Sequence, residues 1–340
     1  MEGAIVKQHI LITGANGFIG RGLCSALKEK GYSVRAAARN NARDIPGVDE
    51  YVQVGDIDES TDWRQALDGA DTVIHLAARV HVMDSRPSTS LRACFRGNDR
   101  RGGNDKLCVF RKVNALGTAR LARMAAEARV KRFIFVSSVK VNGEGSKAAY
   151  TEKDVPAPQD AYGVSKREAE DSLACIAAET GLQTVVLRLP LVYGPGVKAN
   201  FKNLIKLAGL GLPLPLKNID NKRSFIYLGN LVDAIALCIT HPKAAGETFM
   251  VSDCADVSTP DLIKMIKKVT VTKGDSHLFY LHPGILKTLC KIVGKSEELE
   301  KLTGTLIVDS SKIRNTLGWK PPFTIEEGIR ETVRFPLSQK

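Results

Sequence analysis

The chain has 340 residues, 44% hydrophobic and 25% charged. These values are close to the globular average and argue against disordered, collagen-like and disulfide-scaffold classes. The formal net charge of +12 raises the question of nucleic acid. Part of the excess lies in Asp84–Lys112, which a solvated loop explains, so a nucleic-acid partner is not favoured. No apolar run reaches the roughly 18 residues of a membrane span and no signal-peptide pattern opens the chain, which predicts a cytoplasmic protein.

Short apolar runs rich in β-forming residues alternate with helical stretches from residue 8 to residue 190. This alternation is typical of a parallel sheet with helices on both faces. The predicted strands are HILITG, YSVRAAAR, YVQVGDI, TVIHLAA, RFIFVSSV and QTVVLRLP. The predicted helices are FIGRGLCSALKEKG, WRQALDGA, a long helix near residues 110–129, and AYGVSKREAEDSLACIAAET, ending at Gly181. We therefore expect a doubly wound α/β fold in residues 1–190.

Irregular segments follow Pro190, with breaks at GPG, LPLPL and THP. They predict a smaller α/β domain over residues 191–340, with strand exchange between the two domains left open. Ser85–Asp105 fits neither helical nor strand periodicity, so we expect a basic loop insertion at about residues 85–106. The seven cysteines form no CxxC pair and no Cys/His cluster at zinc spacing, which predicts reduced, mostly buried thiols and no metal site.

A glycine-rich turn, Thr13-Gly-Ala-Asn-Gly-Phe-Ile-Gly20, follows the first strand and opens the first helix. Glycines permit a tight turn and a close approach of a pyrophosphate to backbone N–H groups, while the helix N-terminus supplies positive potential. The turn predicts dinucleotide binding by Gly14, Asn16, Gly17, Phe18, Ile19 and Gly20.

The residue at the end of the second strand helps to select which dinucleotide binds. An acidic residue there would favour a free ribose, but this strand ends in three alanines and Arg39. Arg39, with Arg35 as possible support, favours NADP(H), and NAD(H) stays open because either arginine could simply solvate the strand end. Further cofactor contacts are expected at two loops, although ordinary loop chemistry explains both: Asp56 and Ile57 at the adenine, and Leu76, Ala77 and Ala78 near the cofactor backbone.

Three residues suggest acid/base chemistry. Tyr162 and Lys166 are four apart, on one face of a helix. A neighbouring ammonium favours the phenolate and would lower the pKa of Tyr162 towards neutrality. Ser138, at the end of the fifth strand, could donate a hydrogen bond to a substrate hydroxyl or carbonyl. Each residue also has an ordinary surface interpretation, but the set in this order predicts a catalytic site.

With these motifs in place, the chain resembles the extended short-chain dehydrogenase/reductases, the NAD(P)-dependent nucleotide-sugar epimerase/dehydratase family, from about His9 to Phe335. The resemblance implies that Tyr162 is the catalytic acid/base, that Lys166 lowers its pKa and holds the nicotinamide ribose, and that Ser138 assists. It also implies a homodimer through the helices near 110–129 and 161–180. Expected substrate contacts are Lys140, Asn200 and Arg223, the last two at the diphosphate of a UDP-sugar.

Within the family, Ser137–Glu144 and Leu302–Asp309 are most similar to a bacterial polysaccharide branch often labelled UDP-glucose 4-epimerase. That branch is similar to reductases of UDP-4-keto-6-deoxy-N-acetylhexosamines. Because Arg39 favours NADP(H) and Asn142 replaces the tyrosine of a Val-Tyr-Gly motif, we expect such a reductase. A UDP-hexose 4-epimerase, acting on UDP-glucose or UDP-N-acetylglucosamine, is the alternative. A non-catalytic, NADP-bound regulatory protein is an alternative of another class.

Overall fold

The computed structural model describes residues 8–39, 45–80, 102–145, 148–210, 213–270, 278–281, 284–285, 288, 291 and 296–335. A sheet of seven parallel strands in the order β3-β2-β1-β4-β5-β6-β9 lies at its centre. Its strands are β1 (His9–Thr13), β2 (Ser33–Ala38), β3 (Glu50–Gln53), β4 (Thr72–His75), β5 (Arg132–Ser138), β6 (Gln183–Leu189) and β9 (Thr248–Met250). The order reverses between β1 and β4, where doubly wound folds bind ligands at the strands' carboxyl ends. The expected doubly wound fold is confirmed.

Helices cover both faces of this sheet. On one face α1 (Phe18–Glu29) packs beside α7 (Leu228–Thr240), with Leu23 and Leu231 fully buried. On the other face lie α2 (Arg64–Leu67), α4 (Gly117–Glu127) and α5 (Ala161–Thr180). Trp63, Leu121 and Leu173 are buried beneath them. Burying strands on both faces explains why their sequences are continuous apolar runs rather than alternating ones.

The long helix predicted near residues 110–129 is interrupted. The structure has α3 (Gly102–Arg111), a π-helical turn (Lys112–Leu116) and then α4. Because α3 begins at Gly102, the expectation of a loop through Asp105 is wrong for its last four residues. The rest of the proposed insertion, up to residue 101, lies outside the described residues. A π-turn adds a residue to the helical turn and frequently marks a functional site, and this one carries the buried Asn114.

The chain beyond residue 190 builds a second, smaller sheet in the order β10-β8-β7. The strands of this sheet are β7 (Leu191–Tyr193), β8 (Arg223–Tyr227) and β10 (Asp256–Val257). Besides α7, this part of the chain forms the helices α6 (Ala199–Gly209), α8 (Thr259–Thr270), α9 (Ser296–Thr303), α10 (Ser311–Leu317) and α11 (Ile325–Arg334). A separate core containing Phe201, Ile263 and Ile329 joins α6, α8 and α11. The same part of the chain supplies β9 to the central sheet by pairing with β6. The boundary at residue 190 stays a prediction.

The cysteines differ from the expectation of reduced, mostly buried thiols. Cys24 and Cys238 are buried and free, but Cys175 and Cys254 are free and exposed, and Cys108 is disulfide-bonded. The spacing of the cysteines along the chain does not indicate this, because a disulfide depends on which residues meet in space. No helix in the described part of the chain is long and apolar enough to cross a membrane.

A buried ion pair joins α5 to β6 behind the carboxyl end of the sheet. Arg188 Nη2 lies 2.6 Å from Glu170 Oε2, and the two side chains are 5% and 6% exposed. Arg188 also donates to Asn142 Oδ1 at 3.0 Å, and Ser137 Oγ donates to Glu170 Oε1 at 2.5 Å. These bonds connect the helix to the segment that follows β5.

Removing one partner of this pair should destabilise the fold strongly. We expect Arg188→Met to lower the free energy of unfolding by about 3–5 kcal/mol, because it leaves a buried carboxylate without its main counter-charge. The matched control is Arg123→Met, whose pair with Glu179 is 54% exposed on both sides; it should cost less than about 1 kcal/mol. Urea unfolding followed by circular dichroism measures both, and equal losses would contradict the prediction.

Candidate active site

The glycine-rich turn between β1 and α1 is shaped for a ligand backbone. Gly14 has φ +69°, and a Cβ there would lie 2.8 Å from the Ala77 amide nitrogen. Gly17 is the N-cap of α1 and supplies no capping side chain, and the first turn of α1 contains no acidic residue. Among the described residues, no side chain accepts from the first amides of the helix, which fits the phosphates of a dinucleotide.

The loop after β4 lies against this turn. Leu76 N donates to Thr13 O at 3.3 Å, and Ala77 N donates to Thr13 Oγ1 at 3.3 Å. Leu76, Ala77 and Ala78 are all partly exposed. The structure thus brings two of the predicted cofactor segments together at the strand-order reversal.

A chain of buried hydrogen bonds runs from β1 to α5, the helix that carries Tyr162 and Lys166. Thr13 Oγ1 lies 2.6 Å from His75 Nδ1, and His75 Nε2 lies 2.9 Å from Thr118 Oγ1. Thr118 Oγ1 donates to Asn114 O, so it accepts from His75, which places the imidazole proton on Nε2. Burial, helped by the charge of Lys166, lowers the pKa of His75 to about 3 and keeps the ring neutral.

Asn114 continues the chain from the π-turn. Its amide holds the backbone of Arg79 on both sides, accepting from the Arg79 N–H at 2.8 Å and donating to the Arg79 carbonyl at 3.0 Å. The same amide donates to Ser165 Oγ, which donates to the carbonyl of Tyr162. The loop after β4 and the first turn of α5 are therefore positioned by one side chain.

Ser138 and Tyr162 meet at the carboxyl end of β5. The Ser138 hydroxyl lies close enough to the Tyr162 phenol to stabilise its phenolate, and it accepts the backbone N–H of Lys140 at 3.2 Å. Burial and the charge of Asp160 raise the pKa of Tyr162 to about 12, and Ser138 opposes this rise. The expectation of a lowered tyrosine pKa is wrong, because burial outweighs the effect of Ser138.

Lys166 is almost fully buried one helical turn beyond Tyr162. Its ammonium donates to the Val136 carbonyl at 2.6 Å and lies 3.9 Å from the centroid of the Phe135 ring. Burial lowers the pKa of Lys166 to about 7, and the charge of Glu170 partly opposes the fall. The side chain therefore changes its charge near neutral pH.

The remaining predicted cofactor residues lie at the ends of β2 and β3. Arg39 is 70% exposed and its Nε lies 3.3 Å from Asp56 Oδ1. Ile57 packs beside α4, because a Cβ on Gly117 would lie 2.6 Å from its Cγ2 atom. The predicted 2′-phosphate contact is therefore already paired with a carboxylate.

The expected substrate contacts are dispersed. Lys140 binds the carboxylates of Glu144 and Asp160. Arg223 begins β8 in the second sheet, donates to the Gly304 carbonyl at 3.0 Å, and has its pKa lowered by burial. Asn200 belongs to α6, and its side chain lies outside the described part of the structure.

Sequence reasoning missed two residues that support the site. Asp160 is the N-cap of α5 and accepts from the Gly163 N–H, and an aspartate directly before a helix is a signal that could have identified it. Glu170 lies four residues after Lys166 on the same helical face, so the i,i+4 spacing could have suggested the pairing. No signal in the sequence shows that His75 bonds to Thr13 and Thr118, because these residues are far apart in the chain.

Comparisons with known proteins identify the family of the chain. The model of the NAD dependent epimerase/dehydratase family matches residues 10–100 and 93–252. A Vibrio cholerae protein named UDP-glucose 4-epimerase is 42% identical over 335 residues, 97% of this chain and 95% of that protein. An Escherichia coli O157:H7 relative, N-acetyl-alpha-D-glucosaminyl-diphospho-ditrans,octacis-undecaprenol 4-epimerase, is 27% identical over 97% of this chain and 96% of its own length.

A solved structure shares the fold. It is UDP-glucuronic acid 4-epimerase from Bacillus cereus in complex with NAD, with a TM-score of 0.71 and 21% identity. The match covers 96% of this chain and 98% of that one.

Gly163 tests how closely α5 must approach the segment after β5. A Cβ at residue 163 would lie 2.7 Å from the Lys140 carbonyl oxygen. We expect Gly163→Ala to displace the first turn of α5 and lower turnover at least tenfold, since small misplacements of reacting groups are costly. The control is Gly209→Ala, a helical position with nothing within 4 Å of the added carbon. It should leave turnover unchanged, and a similar turnover in the two variants would contradict the prediction.

Proposed function

Because the chain belongs to the NAD dependent epimerase/dehydratase family, we propose that this enzyme is a 4-epimerase of UDP-hexoses with NAD(H) as its cofactor. The observation that carries the proposal is the placement of the Ser138 hydroxyl beside the Tyr162 phenol, with the buried Lys166 one turn further along α5. The 42% identity to a protein named UDP-glucose 4-epimerase, along nearly the whole chain, favours epimerisation over net reduction.

Tyr162 takes and returns the proton of the reaction. As phenolate it removes the proton from the C4 hydroxyl, and after the carbon centre has been inverted it gives that proton back to the C4 oxygen. Ser138 holds the oxygen through its hydroxyl while the charge on that oxygen changes. A bound nicotinamide supplies the acceptor for the C4 hydrogen and the donor that restores it. Tyr162 therefore ends each cycle in the state in which it began it.

The residues present fit a dinucleotide. The uncapped first turn of α1 supplies amide donors for its phosphates, and Gly14 lets the loop at Ala77 approach the turn. Lys166 would hold the nicotinamide ribose, with its ammonium kept in place by the Val136 carbonyl. Asp56 and Ile57 would line the adenine.

The substrate would enter from the side of the second sheet. Arg223 is partly buried at the start of β8, and a guanidinium can bind a diphosphate through two hydrogen bonds. Asn200 would contact the same diphosphate. The sugar itself, the boundary between a cofactor domain (1–190) and a substrate domain (191–340), and the homodimer expected from the resemblance all stay predictions.

One observation favours a second candidate, the NADPH-dependent reduction of a UDP-4-keto-6-deoxy-N-acetylhexosamine. β2 ends in Arg39 instead of an acidic residue, and the exposed pair of Arg39 with Asp56 could rearrange around a 2′-phosphate. In that reaction Tyr162 would give a proton to the C4 oxygen and would be reprotonated from solvent. Such an enzyme would consume one reduced cofactor for each product.

The two candidates are separated by their need for added cofactor. We expect the purified enzyme to interconvert UDP-glucose and UDP-galactose, or their N-acetylated forms, with no net change in nicotinamide absorbance. Proton NMR of the sugar measures the interconversion. Tyr162→Phe should retain the fold and lose about 10²- to 10⁴-fold in turnover. Stoichiometric NADPH oxidation with the 4-keto sugar, and no interconversion, would instead establish the reductase.

The cofactor preference tests Arg39 separately. We expect NADH to bind at least as tightly as NADPH, because a 2′-phosphate beside Arg39 would also meet the Asp56 carboxylate. Arg39→Ala should leave the NADH affinity unchanged. Fluorescence titration of both nucleotides gives the dissociation constants. A preference for NADPH that disappears in Arg39→Ala would return Arg39 to the phosphate site and favour the reductase.

A further inference from the structure

The Lys140 ammonium forms ion pairs with two carboxylates beside α5. Its ammonium lies 2.5 Å from Asp160 Oδ2 and 2.8 Å from Glu144 Oε1, and all three side chains are between 35% and 38% exposed. The residue stands in a short 3-10 turn, Val139–Val141, that directly follows Ser138. It therefore links the segment carrying Ser138 to the residue that caps α5.

The same two segments touch through their backbones. The other carboxylate oxygen of Asp160 accepts the Gly163 N–H at 2.6 Å and caps the helix. The 3-10 turn comes so close that a side chain on Gly163 would collide with the Lys140 carbonyl. Val141 O also accepts the N–H of Ala157 at 3.0 Å, which ties down the loop leading into α5. The position of the Tyr162 ring relative to Ser138 depends on these contacts.

Asp160 places a negative charge two residues before the catalytic phenol, and that charge opposes the phenolate. Other charged groups on the elements packed around Tyr162 include Lys166 on α5 and Lys106 on α3. Most of the rest are paired: Arg111 with Glu168, Lys112 with Asp58, Arg167 with Asp171, and Glu170 with Arg188. Lys140 is the cation bound directly to Asp160 among the described residues. Its loss would leave the Asp160 carboxylate to act on the phenol without that counter-charge.

We propose that Lys140 is a positioning residue for Tyr162: by joining Asp160 to Glu144 it holds the start of α5 against the Ser138 segment and balances the carboxylate next to the phenol. This assignment replaces the expected contact between Lys140 and substrate, and it rests on the proposed function only in that Tyr162 is the acid/base. In this assignment Lys140, two residues after Ser138, binds carboxylates of the protein and does not bind the substrate.

The test is a double-mutant cycle that removes the charges of residues 140 and 160 singly and together. In Lys140→Gln the phenolate becomes harder to form, so the rising limb of the kcat/KM profile moves to higher pH by about half a unit to one unit. In Asp160→Asn, which keeps a capping oxygen, the limb moves to lower pH. In the double variant the pH profile of kcat/KM returns close to that of the wild type, because both charges are gone. Lys140→Arg keeps the positive charge and should keep the wild-type profile. The KM for the UDP-sugar should stay unchanged throughout.

Lys153→Gln is the matched control, because it removes an exposed lysine from the loop before α5 and should not move the profile. A raised KM for the UDP-sugar in Lys140→Gln, with an unmoved pH profile, would overturn the inference and make Lys140 a substrate contact. An unmoved profile in both single variants would also overturn it.

A second readout does not need the reaction. In protein labelled with ¹³C at the tyrosine Cζ, the Tyr162 signal is assigned by its loss in Tyr162→Phe, and alkaline titration follows its ionisation. We expect the signal to titrate at lower pH in Asp160→Asn than in Lys140→Gln. If it does so while UDP-hexoses are not interconverted, the proposed function fails and the role of Lys140 stands. If it titrates identically in both variants, the role of Lys140 fails whatever the reaction is.

Discussion

The buried imidazole of His75 can keep both of its hydrogen bonds only if β1, β4 and α4 hold one relative arrangement. A fully buried polar group without a partner is costly, so this requirement acts as a constraint on the strands' carboxyl ends. Thr13 also accepts the Ala77 N–H, which draws the loop after β4 onto the glycine-rich turn. Through Thr118 and Asn114 the same chain reaches the start of α5. The glycine-rich turn, the loop after β4 and the start of α5 are therefore parts of one hydrogen-bonded unit.

The π-turn that interrupts the helix before α5 belongs to the same unit. It carries Asn114, whose side-chain amide bonds to the backbone of Arg79 and to Ser165. Four hydrogen bonds therefore meet at Asn114, three through its side chain and one through its carbonyl, and they accompany the irregular turn. The Glu170–Arg188 pair joins α5 to β6.

Local signals in the sequence were enough to predict the central sheet up to β6 and the glycine-rich turn, because apolar runs and glycine positions depend on neighbouring residues. They could not predict that β9 joins this sheet or that β10 pairs with β8, since those contacts join distant segments. The direction of the Tyr162 pKa shift was wrong for a related reason. The spacing of Tyr162 and Lys166 shows a shared helix face, but burial of both side chains and the charge of Asp160 depend on the tertiary structure.

Burial moves the acid/base groups of the site in opposite directions, each towards its neutral form. Tyr162 retains its proton to about pH 12, and Lys166 loses its proton near pH 7. Because the two side chains share one face of α5, an ammonium on Lys166 favours the phenolate and a phenolate favours the ammonium. Burial thus keeps both side chains neutral between about pH 7 and pH 12, and the ammonium form of Lys166 is the one that favours the Tyr162 phenolate. Nearby carboxylates act on each member: Asp160 raises the pKa of Tyr162, and Glu170 opposes the fall in the pKa of Lys166, so the charges around α5 adjust the proton affinity of both side chains.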